Sequence, residues 1–202
     1  MKLICIGRNY VKHIEELDNE KPESPIIFLK PDSSLIINND PFYYPEFSSE
    51  IHYEVEILVK IKKVGKSIPV NFAHKYYDRI GLGIDLTARD LQNKAKTKGL
   101  PWDLAKGFNG SAPISHFIPK DPFNVQNLNF SLKLNGNTVQ SSNTSLMLWP
   151  IDEMIAYISQ YMTLKKGDIL FTGTPEGVGP IKIGDQLEGF IESQNMFDFE
   201  IR

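Results

Sequence analysis

Apolar and polar residues alternate most regularly over residues 52–61, His52-Tyr-Glu-Val-Glu-Ile-Leu-Val-Lys-Ile61. A period of two is the pattern of a strand with one buried face. Tyr53, Val55, Ile57, Val59 and Ile61 make the core-facing row, and His52, Glu54, Glu56, Leu58 and Lys60 the opposite one. Shorter apolar runs predict further strands over 2–6, 26–29, 79–84, 128–134, 168–172, 186–192 and 196–201. Turn-forming clusters punctuate the chain at Asn38-Asn39-Asp40-Pro41, Lys120-Asp121-Pro122, Asn135-Gly136-Asn137, Lys165-Lys166-Gly167-Asp168 and Gly184-Asp185. Asn135-Gly136 tolerates the positive φ of a type I′ turn, which predicts a hairpin over 132–140.

Helical periodicity is confined to short segments: about 10–17, 88–98, and 151–161 with Ile151, Met154, Ile155 and Ile158 on one face. Thr87 and Asp90 have capping-box spacing at the start of the middle helix. That start places Asp85 at the end of the preceding strand. No internal repeat interrupts the pattern, and 202 residues suit one domain able to bury roughly 70% of its unfolded surface. The expected fold class is α+β and β-rich, with residues 1–202 forming a single domain.

Composition acts mainly by exclusion. A net charge of −3, with only short basic clusters such as Lys60, Lys62 and Lys63, disfavours a nucleic-acid partner. Cys5 is the single cysteine, so an intrachain disulfide or thiolate cluster is excluded and a cytoplasmic location is expected. The short apolar start meets Arg8 and Asn9 at once, and no apolar run approaches 18 residues, so no membrane partner is expected.

Glu54 and Glu56 change the picture more. At i and i+2 their Cα atoms stand about 6–7 Å apart on one face, where two charges repel by about 2–3 kcal/mol at an effective dielectric near 20. Taken alone, a solvated polar face is the commoner origin of such a pair. Asp85 adds a third carboxylate at a strand end, although such a residue is more often a turn or cap. Three carboxylates without cysteine or paired histidines suit a hard cation such as Mg²⁺ or Mn²⁺.

His13 and Glu16 are helical neighbours at i and i+3, a spacing that lets a carboxylate orient an imidazole as general base. Their helix is too short to be stable alone and could serve as a mobile lid. Arg89 and Gln92 repeat that spacing and could hold a carboxylate; an exposed polar face is the alternative. Lys106 is a lone charge in an apolar, glycine-bearing stretch, either a buried ammonium with a partner or a surface lysine. The loop Phe171-Thr-Gly-Thr-Pro-Glu-Gly-Val-Gly179 exposes backbone amides that could meet an anion, but it is no phosphate loop.

Taken in order, six segments carry a more specific signal. They are Gly7-Arg-Asn-Tyr10 with His13 and Glu16, Phe28-Leu-Lys-Pro31, His52-Tyr-Glu-Val-Glu56, and Asp85-Leu-Thr-Ala-Arg-Asp-Leu-Gln92. Pro101-Trp102 with Ala105-Lys-Gly-Phe108, and Gly167-Asp168 leading to Thr172-Gly-Thr-Pro175, complete the set. The ordered set resembles the fumarylacetoacetate hydrolase family, in particular its short acylpyruvate hydrolase and oxaloacetate decarboxylase-like branch.

The resemblance implies a mixed β-roll, a homodimer, and Mg²⁺ or Mn²⁺ held by Glu54, Glu56 and Asp85. It also implies that His13 and Glu16 are the catalytic pair on a lid over 8–22, that Lys106 assists them, and that Arg89, Gln92 and Thr174 meet the substrate. Arg8 and Lys30 match the family pattern too. The implied reaction is C–C hydrolysis of a 2,4-dioxo acid to pyruvate and a carboxylic acid. Oxaloacetate decarboxylation and isomerisation or tautomerisation of a 2-oxo diacid are alternatives, because each requires an enolate at the same centre. A catalytically silent small-acid binding protein is the alternative from another class, and the retained His13 and Glu16 argue against it. Two departures stand out: Asn109 where many relatives carry Asp, and Glu192-Ser-Gln-Asn-Met196 in place of a glycine-rich turn.

Overall fold

The computed structural model describes residues 1–121 and 123–202; Pro122 of the Lys120-Asp121-Pro122 turn lies outside the described residues. Its larger sheet has six strands in the order Ile26–Lys30, Leu3–Gly7, Ile169–Phe171, Val55–Ile61, Tyr77–Ile84 and Ile118–Pro119. Leu3–Gly7 runs parallel to Ile169–Phe171, which makes the sheet mixed. A second, antiparallel sheet is ordered Asn137–Asn143, Asn129–Leu134, Gln186–Ile191 and Gln194–Glu200. The expected β-roll architecture is thus present, with five short α-helices among the described residues.

Period-two patterning explains the two cores. Ile4 and Ile6 join Ile57, Val59, Ile80, Leu82, Phe130, Leu132, Leu187 and Phe197 in the larger cluster. Their alternates Leu3 and Cys5 join Leu58, Ile169 and Phe171 in a smaller one on the other side. Each fully buried side chain of this kind contributes about 1.5–3 kcal/mol, the reserve against which charged groups can be buried elsewhere. The helix Ile151–Tyr161 matches its expected span and buries Ile151, Met154, Ile155 and Ile158.

The strand expected over 52–61 divides at Glu54. Ile51–Tyr53 pairs with Thr87–Ala88 and Gly179–Pro180 in a small third sheet, while Val55–Ile61 belongs to the large one. At the division the Val55 N–H donates to Gln140 Oε1 at 2.9 Å, so a side chain substitutes for a ladder partner. The capping box also fails to form. Thr87 is held in a strand, Ala88 precedes the helix Arg89–Lys98 without a side-chain cap, and Asp90 accepts from Ser48 Oγ and from its neighbour Leu91 N–H.

The predicted Asn135-Gly136 hairpin is present, both residues having positive φ (52° and 80°). The atypical C-terminal hairpin closes without glycine. Glu192 takes φ 49°, and its carboxylate accepts from Asn129 N–H and Nδ2 at 2.8 and 3.0 Å.

Candidate active site and metal centre

Strand division and strand end converge on one point. Glu54, at the break, Glu56, one turn of the pleat further, and Asp85, just beyond Tyr77–Ile84, bring one carboxylate oxygen each to within 4.8 Å of one another. All three are buried, so the solvated-face reading does not hold. An Asp85 N–H to Glu54 O bond of 2.8 Å locks the two backbones together.

Three buried cations surround them. Lys106 Nζ donates to Glu54 Oε2 (2.8 Å), Asp85 Oδ2 (2.7 Å) and Thr87 Oγ1 (2.6 Å). Arg89 donates to Glu54 Oε1 and Gln92 Oε1, both at 2.6 Å. Lys30 Nζ lies 2.8 Å from Asp85 Oδ1 and donates to the carbonyls of Leu86, Lys106 and Ser111. Burial opposes the charge on Glu54, yet Lys106 and Arg89 outweigh it and hold its carboxyl well below the usual range. Burial likewise opposes the Lys106 ammonium, and Asp85 and Glu54 reverse the balance and hold its pKa up.

Glu56 is treated differently. Its one donor is the Gly173 N–H at 2.7 Å, and no cationic side chain among the described residues pairs with it. Burial, then the neighbouring Asp85, push its carboxyl well above the usual range. Asp85 Oδ1, despite its charge contact with Lys30, receives no properly angled hydrogen bond. An under-compensated buried carboxylate and an orphaned carboxylate oxygen in an all-oxygen donor set fit a hard divalent cation. Glu54, Glu56 and Asp85 are the residues able to hold it.

The pair expected from i, i+3 spacing also meets. His13 Nδ1 is 3.3 Å from Glu16 Oε2 within the helix Val11–Glu16, and Glu16 Oε1 accepts the Gly177 N–H at 2.9 Å. His13 is buried, which lowers its pKa below that of a free imidazole, against the raising effects of Glu54 and Glu16. The 171–179 loop does present amides to anions, and both recipients are the protein's own carboxylates. Gly173 takes φ 98° and approaches Asn9 so closely that a Cβ would lie 2.6 Å from the Asn9 Cβ.

The remaining expected residues take places around the same cleft. Arg8, His13, Arg89, Gln92, Lys106 and Thr174 all line it beside the three carboxylates. Arg89 and Gln92 are buried rather than exposed, and Lys106 is the buried ammonium with partners. Asn109 is exposed and lines no part of the cleft. Free space amounts to about 30 Å³, room for one or two waters.

Other contributors carry no sequence signal of their own. Gln140 sits mid-hairpin, where it donates to Thr174 Oγ1 and the Pro175 carbonyl, each at 3.0 Å, while accepting from Val55. Asn9 ties the helix start to the same loop, donating to the Thr172 carbonyl at 2.7 Å and accepting from Trp149 N–H. Gln140 lies in the polar strand Asn137–Asn143, where nothing local marks it, and its partners lie 34 and 85 residues away.

Residues 2–201 match the profile of the family described as Fumarylacetoacetate (FAA) hydrolase C-terminal. The chain belongs to the fumarylacetoacetate hydrolase family. It is 38% identical over 200 residues to the mitochondrial oxaloacetate tautomerase of Bos taurus, covering 98% of this chain and 90% of the relative. It is 41% identical over 206 residues to the mitochondrial oxaloacetate decarboxylase of Dictyostelium discoideum, covering 100% and 94%. Among solved structures, fumarylpyruvate hydrolase from Pseudomonas aeruginosa in complex with Mn²⁺ and pyruvate superposes with a TM-score of 0.94. That protein is 31% identical, with 100% of this chain and 89% of the other covered. These three relatives are thus named for tautomerase, decarboxylase and hydrolase activities. Both sequence relatives are named as mitochondrial, so they lend no support to the cytoplasmic expectation. Among the described residues no helix is long and apolar enough to cross a membrane.

Proposed function

We propose that this chain is a divalent-metal-dependent enzyme acting on a small 2-oxo dicarboxylate, with keto–enol tautomerisation of oxaloacetate as its reaction. Charge carries this reading. The buried cations Lys30, Arg89 and Lys106 equal Glu54, Glu56 and Asp85 in number, though none pairs with Glu56, so with all three carboxylates ionised a divalent ion brings two charges that a dicarboxylate would cancel. Arg8 and Lys96 on the outer wall supply cations for the second carboxylate. The names of the sequence relatives support the same substrate.

A bound Mg²⁺ or Mn²⁺ would supply Lewis-acid polarisation of the 2-oxo group, worth several kcal/mol. His13 does the proton work. With Nδ1 turned to Glu16, its Nε2 is the nitrogen left to take a proton from C3. Glu16 stabilises the imidazolium so formed, and the proton returns to the 2-oxo oxygen to give the enol. Arg89, Gln92 and Thr174 orient the carboxylate beside the 2-oxo group. Lys106, paired with two of the three carboxylates, keeps them in place and adds positive charge where the enolate forms.

The sequence reading put C–C hydrolysis of an acylpyruvate first; the names of the sequence relatives, with the cationic outer wall, support tautomerisation of oxaloacetate instead. Hydrolysis stays the second reading on one observation, the close structural likeness to a fumarylpyruvate hydrolase; there His13 would deprotonate a water instead. Comparing Mg²⁺-loaded protein on oxaloacetate and acetylpyruvate separates them. We expect faster equilibration of the keto and enol forms of oxaloacetate, read as enol absorbance, and little pyruvate from acetylpyruvate. Rapid pyruvate release from acetylpyruvate alone would reject the tautomerase.

A free space of about 30 Å³ is small beside a four-carbon diacid, and residues 8–22 are the segment expected to move. Arg8 and Asp18, flanking the short helix, both take positive φ (58° and 48°), a conformation costly for residues other than glycine. Hydrogen exchange should show residues 8–22 exchanging fast in the free protein and protected by oxalate with Mg²⁺; equal rates would remove the lid. The homodimer is likewise proposed from the family, with twice the 23.0 kDa chain mass expected in light scattering.

A further inference from the structure

Two hollows in this protein share one wall. The polar cleft and a neighbouring groove of about 400 Å³ are both bordered by Phe28, Trp102 and Lys106. Beyond that wall the groove is apolar, lined by Ile26, Ile27, Leu29, Leu100 and Pro101, with Asp103 at one edge. Leu29 and Leu100 are 45% and 53% exposed, so the apolar groove opens to solvent.

Two of the three shared residues are aromatic. Phe28 and Trp102 meet edge to face with centroids 6.0 Å apart. Each ring also meets a cation of the cleft: Lys106 Nζ lies 5.2 Å from the Phe28 centroid, and Lys96 Nζ 5.8 Å from that of Trp102. Phe28 is fixed in the sheet strand Ile26–Lys30. Trp102 instead sits half-buried at the start of the one-turn helix Asp103–Lys106, three residues after the left-handed Gly99. Of the two rings, the indole is the one carried on a short connection.

We propose that Trp102 is a specificity-determining residue that limits substrate length. Its indole closes the cleft from the groove, and its removal lets an unbranched alkyl tail on the 2-oxo acid pass from one into the other. This rests on the reading of the cleft as a 2-oxo acid site. The tail is apolar because the groove offers no cation beyond Lys106, which the carboxylates already engage. Each buried methylene then favours binding by roughly a factor of four.

The test is a series of straight-chain 2-oxo acids, pyruvate to 2-oxooctanoate, titrated calorimetrically into Mg²⁺-loaded wild type and Trp102→Ala. Wild type should bind short acids and lose affinity as the chain lengthens. Trp102→Ala should reverse the trend and bind 2-oxooctanoate on the order of 10- to 100-fold tighter than pyruvate. Adding Leu100→Lys, an exposed position on the far wall, should erase that gain, and Trp102→Leu replaces Trp102→Ala if the latter does not fold. An unchanged chain-length trend in the variants, or a wild type that already prefers 2-oxooctanoate, overturns the role of Trp102 while leaving the cleft reading intact. A wild type that binds neither oxaloacetate nor any acid of the series overturns both.

Discussion

Glu56→Gln should abolish the rise in Tm that Mg²⁺ or Mn²⁺ gives the wild-type protein while leaving the metal-free protein at least as stable. Wild type should gain about 2.7 kcal/mol at an ion concentration a hundred times Kd, or several degrees for a chain of this size. Glu56 is the cleanest carboxylate to change. Removing Glu54 takes a carboxylate from buried Lys106 and Arg89, and removing Asp85 takes one from buried Lys106 and Lys30, at a cost of about 3–5 kcal/mol by itself. The amide of Gln can still accept the Gly173 N–H, so only charge and ligation are lost.

The pH dependence has a definite sign. Burial and Asp85 raise the folded-state pKa of Glu56 above its unfolded value. The unfolded chain gives up this proton at lower pH than the folded one, so metal-free stability falls as pH rises from the unfolded value towards the raised folded one. Glu56→Gln should flatten that fall, and saturating Mg²⁺ should do the same in wild type. A variant that keeps the metal-induced shift would remove Glu56 from the centre.

His13→Ala should lower turnover by about 10²- to 10⁴-fold, the usual worth of a positioned base, with the metal-induced Tm rise retained because His13 hydrogen-bonds none of the three carboxylates. In wild type the acid limb of kcat/KM should fall below pH 6.5, because burial lowers the imidazole pKa and the neutral form is the base. Glu16→Gln should move that limb lower still, since Glu16 raises the imidazole pKa. A limb unchanged in Glu16→Gln would separate the two residues functionally.

Much of this arrangement is legible in the sequence wherever local geometry is enough. The i, i+2 pair Glu54 and Glu56, the strand-end Asp85, and the i, i+3 pair His13 and Glu16 are all found together. Asn135-Gly136 likewise forms its hairpin, because turn chemistry is local. What escaped is tertiary. Thr87 and Asp90 have the spacing of a capping box, but pairing of Thr87–Ala88 with Ile51–His52 turns the hydroxyl to Lys106 instead. The break at Glu54 depends on Gln140, far along the chain, and periodicity cannot report a side chain inserted from there. Lys30 matches a family pattern, but its grip on Asp85 and three carbonyls is visible only once strands from both ends of the chain lie side by side.

The most direct measurement is exchange of the C3 protons of oxaloacetate with D₂O, followed by proton NMR above the uncatalysed rate, for Mg²⁺-loaded wild type and His13→Ala. Wild type should accelerate exchange, with at least a hundredfold of the acceleration lost in the variant. Exchange that wild type does not accelerate, or that His13→Ala accelerates equally, would contradict proton transfer by His13 at this centre.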